Sequence, residues 1–295
     1  MCCENHPRVA ANLARLALVL AVACSKASAT PPDRSDPRAS PASSDKPGDP
    51  ESAISVHHVD AGNPPAVIWQ GTSGGFDWTW RDSGLSVSRD GGKPRELLHP
   101  DPALDSCADA QESYRLVSVV GPLASLEHGT WADCGGAHPS AVTSYEVVDA
   151  TRPARRTTLL DYFSEADVLG ALQADPLVRK ALGHVRPATV RELLKFLSGK
   201  TGGGDPEGCG YAFSEGMLAS FAFHHVEGGA VAVRIGLSHG CEVMRGNLTQ
   251  LGLLLPIPRT LAANVGAAAM RQEGFLMKDS SAIRGDRATE LIHGR

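Results

Sequence analysis

Histidines and cysteines are the residues best equipped for chemistry in this chain, and the local sequence treats each differently. His138 sits in Gly135-Gly136-Ala137-His138-Pro139. Two glycines permit backbone shapes closed to other residues, and proline fixes the chain just beyond them. An imidazole on such a loop could contact a ligand, or act as an acid or base with Asp133 or Asp161 as acidic partner. It could equally hydrogen-bond to backbone within a rigid turn. His224 and His225 end a strand, where alternation places them on opposite sides of a sheet. His225 then shares the face of Phe221 and Phe223. His239 lies near Cys241 without metal-ligand spacing to anything around it.

Gly71-Thr72-Ser73-Gly74-Gly75 has the composition of a nucleophile loop in chymotrypsin-like proteases. In that class the serine follows its histidine and aspartate, whereas here it opens the domain. The segment therefore reads as a glycine-rich turn. No GxSxG elbow, HExxH helix or phosphate-cradling loop is present. Neither a cofactor nor a metal is expected.

The cysteines depend on the leader. Arg8 and Arg15, an apolar run from Leu16 to Ala23, and Ala21-Val22-Ala23-Cys24 form a secretory signal with a lipobox-like end. The run is too short to span a bilayer. Acylation of Cys24 would leave residues 1–23 as the signal and hold the mature protein at a membrane. Ser25 rather than aspartate after Cys24 favours the outer membrane. Cleavage after Ala27-Ser28-Ala29 would instead release a soluble protein. Either way the body meets an oxidising compartment, where Cys107, Cys134, Cys209 and Cys241 allow three disulfide pairings. Cys107–Cys134 and Cys209–Cys241 are favoured, because each pair brackets an expected hairpin. A four-cysteine zinc site lacks the usual CxxC spacing.

Residues 24–52 are Pro, Ser, Asp and Ala with little that is apolar, a composition expected of an extended tether. Between residues 53 and 271 short alternating runs come first: Ser55–Val59, Ala66–Gln70, Phe76–Trp80 and Leu85–Arg89. A hairpin about Gly121-Pro122 and a strand over Val142–Val148 follow. Ser164-Glu165-Ala166-Asp167 opens a helix, and Val190, Leu193, Leu194 and Leu197 mark another. Met217–His225 and Ala230–Gly236 alternate again, and Pro258 begins a last helix through Ala269. The pattern predicts an α+β domain: antiparallel β-sheet with a helical insertion between hairpins, and two disulfides. Residues 272–295 read as a polar, frayed tail. A formal net charge of −5 argues against nucleic acid as a partner.

The loop at His138, the strand residues Ser144-Tyr145-Glu146 and the segment Thr157-Thr158-Leu159-Leu160-Asp161-Tyr162-Phe163 carry a family resemblance. Together they resemble the extracytoplasmic domain shared by the lysozyme-sensing anti-sigma-V factor and a peptidoglycan N-acetylglucosamine deacetylase. The resemblance covers about residues 112–255. Here Ser144-Tyr145-Glu146 replaces the family's Asn-aromatic-Asp, and Asp149–Arg156 replaces its Thr-Gly-Lys turn. The resemblance implies a non-catalytic envelope domain, with Gly135, Gly136, His138 and Tyr145 as the binding residues and peptidoglycan or a muramidase as the partner. An envelope hydrolase using His138 and a passive structural lipoprotein are the alternatives.

Overall fold

Period-two alternation of apolar and polar residues becomes antiparallel sheet in the computed structural model. The structure describes residues 54–56, 66–81, 83–98, 107, 109–135, 139–198, 211–239, 249–278 and 287–288, all within one compact unit spanning Lys46–Arg295. The strands β2 (Val67–Ser73), β3 (Phe76–Arg81), β4 (Gly84–Arg89) and β5 (Arg95–Glu96) form one sheet in that order. A second sheet has the order β1 (Ile54–Val56), β6 (Asp109–Val120), β7 (Leu123–Asp133) and β8 (Ser140–Asp149). Phe76, Trp78 and Trp80 alternate inward from β3 and share a core with Leu116, Val119, Ala124, Leu126 and Val148. The small sheet therefore covers one face of the long one.

The third sheet holds β10 (Phe221–Glu227), β11 (Ala230–His239), β12 (Thr249–Pro256) and β13 (Arg287–Ala288), with β9 (Tyr211–Ala212) on β11. All its pairings are antiparallel except β12 with β13. Phe221, Phe223, Val231, Val233, Ile235, Leu251, Leu253 and Leu255 alternate onto one face. They pack against apolar residues of α1 (Glu165–Ala174), α2 (Pro176–Leu182) and α3 (Val190–Ser198). Ser164 caps α1 by accepting the Asp167 amide at 3.1 Å.

The second and third sheets meet at a seam. β10 is an outer strand, so one of its edges has no strand partner. Phe223 is fully buried, and an unmet amide or carbonyl there would cost roughly 1–3 kcal/mol. Its amide donates to Ser125 Oγ at 3.0 Å, and its carbonyl accepts from Ser118 Oγ at 2.8 Å. Both serines lie on the long sheet with no exposed surface. Just before β10, Ser220 Oγ accepts the Tyr145 amide of the edge strand β8 at 3.1 Å.

Several sequence expectations are corrected. Residues Glu215–Ala219 form a 3-10 turn, so β10 begins at Phe221 and not at Met217. The register shifts between Phe223 and His225, a bulge that breaks strict alternation. His224 and His225 are consequently both buried, with their Nδ1 atoms 2.8 Å apart, and do not stand on opposite sides. The last helix, α4 (Ala262–Ala269), starts four residues after Pro258, which instead opens a turn closed by the Leu261 amide. Beyond Gln272, Phe275, Leu276 and Met277 are buried, and Phe275 exchanges hydrogen bonds with Val119. The domain thus continues past residue 271.

Removing either seam hydroxyl tests this arrangement. Ser118→Ala and Ser125→Ala should each lower stability by roughly 1–3 kcal/mol in urea unfolding, because each leaves a buried backbone group unmet. Losses within the ~0.5 kcal/mol usual for surface changes would show that the edge is satisfied otherwise.

Candidate functional site

The loop from Ala150 to Thr157 is held by local charge and hydroxyl chemistry. Asp149, at the end of β8, accepts from the Thr151 amide at 2.8 Å and from Arg152 Nε and Nη2 at 3.0 and 2.8 Å. Burial pushes the Asp149 carboxyl up, but the hydrogen bonds from Thr151 and Arg152 outweigh it and hold the group below its ordinary value. Asp161 accepts the Thr158 amide at 2.8 Å and Arg155 Nη2 at 2.5 Å. Thr157 donates to the Val147 carbonyl at 2.6 Å, and Arg95 Nη2 donates to the Ala150 carbonyl at 2.6 Å. Burial, then the Asp149 charge, pushes the Tyr162 phenol up to about 12, so it stays protonated at neutral pH.

Between this loop and β8 lies a cavity of about 430 Å³. Its polar lining includes His128, Ser144, Glu146, Arg155 and Arg156. His128 and Ser144 are directly opposed across β7 and β8, and His128 faces Tyr114 across β6 and β7. The Tyr114 and His128 rings stack at 4.3 Å. Glu112 Oε1 lies 2.7 Å from His128 Nε2 and accepts the Tyr114 hydroxyl at 2.8 Å. A carboxylate thus orients an imidazole at a partly open surface beside a hydroxyl. Such a set can bind a polar ligand, and it contains the orienter and base of a hydrolytic site.

On the opposite face of the same strands runs a largely buried row, whose Tyr145 also lines the cavity. Arg115, Glu127 and Tyr145 are opposed on β6, β7 and β8, and Arg115 Nη2 pairs with Glu127 Oε2. The Tyr145 hydroxyl donates to Gln250 Oε1 of β12 at 2.7 Å. Burial, then the Glu127 charge, raises the Tyr145 phenol far above its ordinary value. Arg234 of β11 is lowered to about 10 by burial, partly offset by Tyr145, Asp175 and Glu227. It remains charged at neutral pH, so the inter-sheet polar layer carries fixed charge.

The residues expected from sequence to share a site do not all come together. Gly136 and His138 lie outside the described residues, as do Cys24, Cys209 and Cys241. Gly135 is exposed, with φ +80°, and follows Asp133, six residues along β7 from the partner of Tyr145. At about 3.3 Å per residue, Tyr145 is roughly 20 Å from that end of the strand. Tyr145 therefore belongs to a different site from the Gly135 loop. Asp133 accepts the Gly135 amide at 3.1 Å, and Asp161 serves Thr158 and Arg155. Cys107 and Cys134 form a disulfide. Ser73 is buried and accepts the Gly121 amide at 2.8 Å, which makes its glycine-rich segment a turn support. Gly74 (φ +59°) is required there, since a Cβ would stand 2.8 Å from Gly121 Cα.

A second hollow, about 490 Å³, lies beside α1 and is lined by small residues such as Gly170, Ala171 and Gly252, with Asp167 and Glu227. It gathers fewer convergent polar groups than the β8 cavity. Among the described residues no group of three His, Cys, Asp or Glu could hold a metal, and no helix is long and apolar enough to cross a membrane. No known protein family, curated protein or solved structure matches this chain.

Asp149 gives the loop a pH signature. A carboxyl depressed in the folded state adds stability above its unfolded value, and loses it as pH falls through the folded one. Asp149→Asn should lower the melting temperature at pH 7, and its gap to the wild type should shrink as pH falls below about 4. A constant gap from about pH 2 to about pH 7 would contradict the role of the Asp149 charge.

Proposed function

We propose that this chain is a lipid-anchored cell-envelope protein whose α+β domain binds an extracytoplasmic glycan, peptidoglycan being the natural candidate. The signal and lipobox-like Cys24 carry the export reading, and the Pro- and Ser-rich tether after it fits a domain held off a membrane. The Cys107–Cys134 disulfide suits an oxidising compartment. The resemblance to the envelope domain described above points the same way. Location is then periplasmic or at the cell surface, with the outer membrane favoured.

The observation that carries the binding reading is the β8 cavity. Its size falls within the usual ligand-pocket range of about 300–1,000 Å³, and its lining mixes hydroxyl, imidazole, carboxylate and guanidinium groups. Saccharides present alternating donors and acceptors that such a lining can match. The Glu112–His128 contact beside Ser144 favours a second reading, an envelope hydrolase in which Glu112 orients His128 and Ser144 supplies the nucleophile.

Cosedimentation with purified peptidoglycan sacculi tests the proposal. The wild type should pellet with sacculi, and Ala154→Trp, which fills the cavity from an exposed loop position, should remain in solution. Equal pelleting of both proteins would place binding elsewhere. Retention on immobilised lysozyme alone would replace the glycan with a protein ligand. Labelling of Ser144 by a fluorophosphonate probe would favour the hydrolase. Absence of every response would leave a passive lipoprotein, and an intact Met1 on cytosolic material would remove the export reading.

A further inference from the structure

We infer that the β8 cavity takes an acidic sugar, a saccharide bearing a carboxylate, with Arg156 as its anion-binding residue; this rests on the glycan reading above. The Ala150–Thr157 loop carries three arginines. Arg152 is held by Asp149 at 2.8 Å and Arg155 by Asp161 at 2.5 Å. Arg156 is exposed, lines the cavity, and has no carboxylate partner among the described residues. Its neighbours' ion pairs fix the loop that presents it, so little ordering remains to be done on binding. A guanidinium placed this way offers a planar fork that matches a carboxylate.

The opposite wall narrows the ligand. Glu146 is exposed on β8 and lines the same cavity. An ionised carboxylate only accepts hydrogen bonds, so Glu146 selects hydroxyl or amide donors and repels a bare anion. Ser144 can serve either role, and Thr157 is committed to the Val147 carbonyl. A ligand satisfying both walls carries one anionic group and, beside it, several hydroxyl or amide donors. A free phosphate lacks the donors, and a neutral sugar leaves Arg156 unmatched. Acidic sugars have both.

Isothermal titration of the full chain in detergent with four probes separates the possibilities. Trigalacturonate carries ring carboxylates, and N-acetylglucosaminyl-N-acetylmuramic acid carries a lactyl carboxylate. Chitotriose is neutral, and inorganic phosphate is an anion without a ring. One or both acidic saccharides should bind, and whichever binds identifies the source of the carboxylate. Arg156→Ala should weaken that binding at least about tenfold, as loss of a charge-assisted contact does, with partial recovery in Arg156→Lys. Glu146→Gln should weaken it by removing the charged acceptor for the sugar's donors, while phosphate, no longer repelled by that charge, should bind no more weakly than to the wild type. Chitotriose binding as tightly, with Arg156→Ala silent, would overturn the acidic-sugar inference while leaving the glycan reading intact. Binding of phosphate alone, or of none of the four, would overturn the inference, and sacculus cosedimentation then decides whether the glycan reading also falls.

Discussion

Two serine hydroxyls, Ser118 Oγ and Ser125 Oγ, stand where a neighbouring strand would otherwise pair with β10. A buried sheet edge must satisfy its amides and carbonyls, and covering or pairing it are the usual solutions. Here the long sheet meets the third sheet edge-on, and its own side chains supply the missing donor and acceptor. That choice dictates the rest. With β10 fixed, Phe221 and Phe223 point into the helical core on one side. On the other, β11 and β12 bring Arg234 and Gln250 towards Tyr145, where apolar packing gives way to a buried polar layer.

The same geometry leaves β8 as a sheet edge that is only partly occupied. Ser220 takes one of its amides, and the Ala150–Thr157 loop folds back beside it. Short-range ion pairs organise that loop, and these are cheap to form because the partners are three to six residues apart. The cavity between loop and strand thus inherits rigidity from both walls. Polar groups can collect there without the desolvation cost that Arg115 and Glu127 meet on the opposite face of the sheet.

Local patterns made much of the fold legible. Alternation in Phe76–Trp80, the turn at Gly121-Pro122 and the Ser164 cap all report short-range physics, and each survives in the structure. The helix α2 is absent from the pattern reading although its signal is local: Asp175 caps it by accepting the Leu177 amide at 2.8 Å, and Pro176 starts it. The polar pair at the cavity was not legible. Counting outward from the Val120–Leu123 pair sets His128 opposite Arg115, but the shift between Leu116 and Ser118 moves it to Tyr114 and within reach of Glu112. A single bulge hides that site from the sequence, as another hides the meeting of His224 and His225. The burial of Phe275–Met277 is likewise tertiary, arising from a bridge to Val119 far away in the chain.

The seam joins the second and third sheets, and native-state hydrogen exchange at the Phe223 amide tests whether it holds them together. The amide donates to a serine hydroxyl and not to a strand, so its protection depends on the two sheets staying together. If the seam holds, this amide exchanges only through global unfolding, at a rate matching the slowest amides of β11. Exchange as fast as that of exposed loop amides, while β11 stays protected, would contradict it.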